Sequence, residues 1–237
     1  ISEGCDNLCS YCIIPKLRGR FRSRSIESVI EEAKNLSSSG KIREINIIGQ
    51  DTTLFGNDIY GRPSLPELLK RLASLRSSVK WIRLLYTHPA HYSGKLINIL
   101  RDEKKIGRYL DLPVQHISDP ILKKMNRHTT KKDITGLIEK LRKNIPGLTL
   151  RTSVIIGFPG ETDKEFNELL AFLEDQIDVK LGAFIYSAEE GSKAYKFERH
   201  VPDSIKNQRF DEVMKLQQKI SADINKSYMG KTVNVLI

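Results

Sequence analysis

Short apolar runs alternate with amphipathic stretches along the whole of this 237-residue chain, and that alternation limits the fold more than any other feature. The runs at 44–48, 81–86, 109–112, 148–156 and 180–185 are β-branched or aromatic and mostly apolar, the pattern of strands buried on both faces. Between them, Ile26, Val29, Ile30 and Ala33 form one stripe, Ile134, Leu137, Ile138 and Leu141 a second, and Phe166, Leu169, Leu170 and Leu173 a third. These are the spacings of helices with one buried face. Ser64 with Glu67, and Thr162 with Glu165, read as capping boxes at helix starts. A last helix is expected from about 203 to 228, with Phe210, Val213, Met214, Ile220 and Ile224 on one face. Repeated strand–helix units imply an α/β fold with a parallel sheet and right-handed crossovers. Five strands are visible, and a sixth is expected to end just before Cys5, cut short by the start of the chain. Six units make either a doubly wound sheet or an incomplete (β/α)6 barrel. No GxGxxG follows a strand, so the dinucleotide-binding version has no support. The most linker-like segments are 55–66 and 189–202.

Composition narrows the partners. No apolar run reaches the roughly 18–20 residues that span a bilayer, so no membrane partner is expected. Lys and Arg total 39 against 29 Asp and Glu, a net charge of +10, which suits an acidic partner such as nucleic acid or a ribonucleoprotein. The chain opens without an initiator Met or an export leader and stops abruptly, so it reads as the centre of a longer protein. Three Cys cannot pair off as disulfides, and a reducing cytoplasm is expected.

All three Cys lie within eight residues, as Cys5, Cys9 and Cys12. One loop can therefore bring three thiolates to a single centre, and soft thiolates suit zinc or an iron–sulfur cluster. Structural zinc needs four protein ligands. No fourth Cys exists, and the first His is as distant as His88. On a cubane cluster, three ligands leave one iron open to bind something else. Three unrelated buried thiols, a zinc site and an open-iron cluster all remain readings. Clustering of every Cys favours a shared centre, and the missing fourth ligand favours the cluster.

C-x3-C-x-aromatic-C, here Cys5 to Cys12 with Tyr11 as the aromatic, resembles the signature of radical S-adenosylmethionine (SAM) enzymes. Cys12-Ile-Ile-Pro15 with Arg18-Gly19 and Arg22-Ser-Arg24, and Gly157-Phe-Pro-Gly-Glu161-Thr162, resemble the methylthiotransferase family. Gln50-Asp51-Thr52-Thr53, Asp111-Leu-Pro-Val-Gln115-His116, Leu150-Arg151-Thr152 and Tyr186-Ser-Ala-Glu-Glu190-Gly191 resemble its branch that modifies an aspartate of protein twelve of the small ribosomal subunit. The tRNA-adenosine branch typically reads QNVN where this chain has QDTT, and QSGS where it has QHIS. It remains the first alternative, and a zinc-binding RNA module the second.

The resemblance implies a TIM-like partial barrel of the radical SAM type. It implies one 4Fe–4S cluster on Cys5, Cys9 and Cys12, whose open iron chelates SAM, and a low-potential electron donor. One SAM then yields a 5′-deoxyadenosyl radical and another a methyl group, so that C–SCH3 replaces C–H at the aspartate β-carbon. It also implies a three-part protein: an N-terminal domain carrying a second, auxiliary cluster, the core, and a C-terminal TRAM-like β-barrel. On that plan 1–229 are the core, 230–237 open the C-terminal module, and the auxiliary domain lies outside this chain.

In such a barrel the site sits at the C-terminal strand ends, and every unusual polar cluster falls there. Tyr11 is expected to pack on the cluster or adenine, or else to close the apolar side of its loop. Gln50, Gln115 and Arg151 are donors suited to a cofactor carboxylate and ribose. Arg151 is expected on the carboxylate, the alternative being a pair with Asp111. Gly157 and Phe158 lie in a tight turn that lets backbone approach a ligand. Of His88, His116 and His128, His116 is the one expected at the substrate. Lys16, Arg18, Arg20, Arg22 and Arg24 alternate with no acid among them, and if extended would all face the incoming substrate, with rRNA nearby.

Overall fold

The computed structural model describes residues 1–176 and 179–236. In chain order the elements are β1 (Ser2–Glu3), α1 (Ile14–Arg18), β2 (Arg22–Ser23), α2 (Ile26–Ser37), β3 (Glu44–Ile47), α3 (Asn57–Tyr60), α4 (Leu65–Ala73), β4 (Trp81–Leu84), α5 (Gly94–Asp102), β5 (Ile106–Asp111), α6 (Asp119–Lys124), α7 (Lys131–Asn144), β6 (Thr149–Ile156), α8 (Asp163–Asp175), β7 (Val179–Ile185) and α9 (Asp203–Lys226). Strands β3 to β7 form one parallel sheet in sequential order. That order is what successive right-handed β–α units produce.

The expected sixth strand survives only as β1. It pairs antiparallel with β2, apart from the five-stranded sheet. It is tied to the end of β3 by the Ile1 amine, which donates to Ile48 O at 3.1 Å, and Ile1 packs against the main core. The sheet is apolar on one face, not two. Ile47, Ile82, Leu84, Leu110, Leu150, Val154 and Ile156 are buried in a single core with the helices. The alternate positions Glu44, Arg83, Tyr109, Asp111 and Arg151 turn to the opposite face, as the period of two requires. There Arg83 forms a two-pronged pair with Glu44 at 2.9 and 3.0 Å and lies over the Tyr109 ring. The sequence reads apolar overall because these positions keep aromatic and aliphatic neighbours.

The helical stripes are buried largely as expected: Ile26, Val29, Ile30 and Ala33 on α2, Ile134, Ile138 and Leu141 on α7, and Phe166, Leu169 and Leu173 on α8. Thr162 and Glu165 form their capping box. Ser64 and Glu67 do not: the Ser64 hydroxyl donates to Arg62 O at 3.0 Å, and Glu67 faces Arg62 at 3.8 Å. Pro66 in the first turn has already removed one N–H that a cap would serve. On α9 the buried residues are Lys206, Arg209, Val213, Gln217 and Ile220, while Met214 is exposed. The inner face of that helix is thus partly polar, for a reason given below. Neither linker-like segment is loose: Phe55 and Ala194 are fully buried. Residues 230–236 carry no helix or strand, and Ile237 of the expected C-terminal module lies outside the described residues. Among the described residues no helix is long and apolar enough to cross a membrane.

Candidate metal and cofactor site

The loop from Gly4 to Ile13 leaves β1 and is held from several sides. Gly4 has φ +72°, and a Cβ there would overlap the Arg20 carbonyl oxygen, so only glycine turns the chain into the loop. Cys5 N donates to Gly19 O at 3.3 Å, Cys12 N to Cys9 O at 3.1 Å, and Ala194 N to Ser10 O at 2.8 Å. Asn7 Nδ2 donates to Asp51 Oδ2 at 2.7 Å. Asp51 is itself buried and also takes the His91 imidazole at 2.8 Å and the Thr53 backbone N–H at 3.0 Å. Burial pushes the Asp51 carboxyl up, but the His91 and Thr53 hydrogen bonds outweigh it and hold it below the ordinary range. The QDTT segment therefore anchors the cysteine loop through Asp51 as a fixed anion.

Cys5, Cys9 and Cys12 are free thiols lining one cavity of about 970 Å³. Burial pushes the Cys5 thiol up to about 11 and raises Cys12 as well. Three soft donors crowded on one loop, with no fourth thiol or imidazole on that loop, fit a cubane cluster with one open position. The cavity is also large enough for a nucleoside-sized ligand beside such a cluster. Tyr11 lines it, and its hydroxyl is kept protonated by burial and by the neighbouring Cys9.

Gln50 and Gln115 reach the same cavity from the ends of β3 and β5. Gln50 Oε1 is buried without a hydrogen-bond partner among the described residues, an acceptor waiting for a donor. Gln115 adopts φ +69°, with its backbone tied to β6 through Ser153 O and Ile155 N, each at 2.8 Å. Tyr86, at the end of β4, has φ +54°. Non-glycine residues rarely sit there, and such strain collects at binding sites. Arg18 and Arg22 line the cavity at its outer side, where Glu3 faces them at 3.9 and 3.5 Å.

Other expected site residues lie elsewhere. Arg151 is directly in register with Asp111 across β5 and β6, and the two form an ion pair at 2.8 Å. That is the alternative pairing, and Arg151 does not line the large cavity. His116 is fully buried and does not line the large cavity. Its Nδ1 accepts from Ser118 N at 3.0 Å, which leaves the proton on Nε2, 3.5 Å from Glu161 Oε2. Phe158 is also fully buried, edge-on to Tyr186 and Phe197, in a small core that supports Tyr11 from behind. Gly157 has φ +74°, and a Cβ there would strike the Lys206 stem of α9. The glycine allows close packing of a helix, and it does not line the large cavity.

The basic strip is extended only at Arg22, on β2. Lys16 and Arg18 lie on α1, Gly19 reverses the chain, and Arg20 turns away to a two-pronged pair with Asp6 at 2.7 and 3.0 Å. Arg24 pairs with Glu32. Pro15 and the apolar residues between the charges favour a short helix over a strand.

Among the cavity residues that sequence reasoning did not assign to the site are His88 and Arg127. His88, set aside in favour of His116, lines the cavity, and burial, followed by the charge of Arg127, lowers its pKa to about 3. Arg127 lines it too and is buried. No spacing pattern links Arg127 to the cysteines. The detectable signal was a lone Arg in the short 125–130 turn between two helices.

Residues 1–173 match the family model described as "Radical SAM superfamily". Over all 237 residues the chain is 50% identical to the ribosomal protein uS12 methylthiotransferase RimO of Clostridium botulinum, and 48% identical to that of Clostridium perfringens. In both cases it covers 53% of the relative, so the chain spans about half the length of the curated relatives it matches. Among solved structures it is similar to coproporphyrinogen III oxidase (HemN) from Escherichia coli, a radical SAM enzyme. The TM-score is 0.65 at 16% identity, covering 92% of this chain and 51% of the other, a likeness of fold.

Proposed function

Because the chain belongs to the radical SAM superfamily, we propose that it is the radical core of a methylthiotransferase acting on an aspartate of small-subunit ribosomal protein twelve (uS12). The family implies a 4Fe–4S cluster and SAM. The observation that carries the reading is the convergence of Cys5, Cys9 and Cys12 with Gln50 and Gln115 on one cavity, in a chain 50% identical throughout to RimO. When bound, the cluster supplies the electron that cleaves SAM, and the remaining work belongs to the protein. Cys5, Cys9 and Cys12 would hold the cluster and would leave one iron for SAM. Tyr11, braced by Phe158, walls one side and excludes water. Gln50 Oε1 accepts from an amine or ribose hydroxyl, and Gln115 presents its amide from a strained, fixed backbone. Arg18 and Arg22 at the outer side favour the approach of an aspartate-bearing loop, with rRNA nearby.

A low-potential electron donor, a cytoplasmic setting, an auxiliary cluster on an N-terminal domain and a C-terminal module opening at 230–237 belong to the same proposal. The QDTT segment, where the tRNA branch typically reads QNVN, and the 48–50% identity to uS12 methylthiotransferases support the protein substrate over tRNA. The test is the full-length protein, anaerobically reconstituted and given SAM, reductant and either uS12 or tRNA. A methylthio group on the uS12 aspartate is expected. Modification of tRNA adenosine alone would select the other branch.

A further inference from the structure

Arg127 is 5% exposed, and no carboxylate pairs with it among the described residues. Its Nη2 donates to Pro113 O at 2.6 Å, its Nη1 lies 3.8 Å from Cys9 Sγ, and its Nε has no partner among the described residues. An arginine is always charged, and a buried charge without an anion is costly. The missing anion has to be supplied by whatever occupies the cavity. The backbone around Arg127 is also held in a costly form: Asn126 has φ +57° and His128 φ +53°. The same turn grips the cysteine loop. Ser10 N donates to Met125 O at 3.0 Å, Ser10 Oγ to Lys124 O at 2.7 Å, and Asn126 Nδ2 to Leu8 O at 2.8 Å.

We propose that Arg127 is a positioning residue for the cluster, holding the Cys9 thiolate and placing a buried positive charge beside it that raises the cluster's reduction potential. The inference rests on the reading that the three cysteines hold a 4Fe–4S cluster. Adding one electron makes the cluster and its thiolates more negative by one charge. A fixed cation and an N–H donor at a ligand sulfur both favour that reduced form. The turn geometry keeps the cation from swinging into solvent.

The test is an electron paramagnetic resonance-monitored redox titration of the anaerobically reconstituted chain, with Arg127→Gln and Arg127→Lys beside the unaltered protein. Iron and sulfide content of the unaltered protein checks the cluster reading separately. With Arg127→Gln the equilibrium constant for one-electron reduction is expected to fall at least about tenfold, a shift of about 59 mV to more negative potential. Arg127→Lys keeps the charge and should stay near the unaltered value. If Arg127→Gln fails to load, Arg127→Lys carries the test: a potential near the unaltered value supports the proposal, and a shift of about 59 mV or more overturns it. An unshifted Arg127→Gln, an equal shift in both variants, or loss of loading in both would overturn it.

Discussion

Cys5 shows what a buried thiol asks of its ligand. Burial lifts it to about 11, so at neutral pH it carries a proton that a metal must displace. Apparent affinity for iron should therefore rise with pH between 6.5 and 8.5, by about tenfold per unit for each proton released. Uptake that is flat over that range would mean the thiols are already ionised. His88 runs the other way. Burial and Arg127 lower it to about 3, against an ordinary value of 6.5. The unfolded chain binds this proton below pH 6.5 while the folded chain does not, so stability is full above 6.5 and is lost as pH falls towards 3. The loss approaches about 1.4 kcal/mol per pH unit for one proton. In urea unfolding at pH 7 and pH 5, His88→Asn should show a shallower loss than the unaltered chain. Equal slopes would show that His88 is protonated in the fold. The cysteines were legible because three like residues in one short loop form a pattern. Arg127 was not, because its partner Cys9 is 118 residues away and nothing local marks it.

At the scale of elements, α9 explains its own polar inner face. Arg209 donates to Glu161 Oε1 at 2.7 Å, while Glu161 also accepts from Gly157 N at 2.9 Å and Asp163 takes the other guanidinium nitrogen at 2.7 Å. The last helix thus clamps the turn after β6, and the fully buried Glu161 side chain depends on it. Arg209→Met should destabilise the chain by about 3–5 kcal/mol, because it strands a buried carboxylate. Adding Glu161→Gln should recover part of the loss, as urea unfolding of the two variants would show. A cost under about 1 kcal/mol would mean the clamp is not needed. The stripes of α2, α7 and α8 were legible from periodicity alone. This face of α9 was not, since Lys206 and Arg209 read as solvent-facing until the acids they meet are known, and Gln217 until its contacts with Val179 O and Ser221 Oγ are. The basic strip failed for a related reason: alternation of charge suggests a strand, but Pro15 and Gly19 set a helix and a reversal.

For the whole molecule, the parallel β–α order was legible because each unit carries its own signal. The first strand was not, since two residues of β1 carry no period. The division of sheet faces followed only from register, which puts Asp111 opposite Arg151 and so takes that arginine from the cavity. What remained in place is the convergence of three thiols, Gln50 and Gln115 at one end of the sheet. The central claim is that this convergence holds a cluster with one open iron. Its most direct measurement is the electron paramagnetic resonance spectrum of the reconstituted, reduced chain with and without SAM. The account predicts close to four iron and four sulfide per chain, a signal that changes when SAM is added, and loss of both iron and signal in Cys9→Ala with the circular dichroism kept. A colourless chain carrying zinc without sulfide, or a cluster whose spectrum ignores SAM, would contradict it.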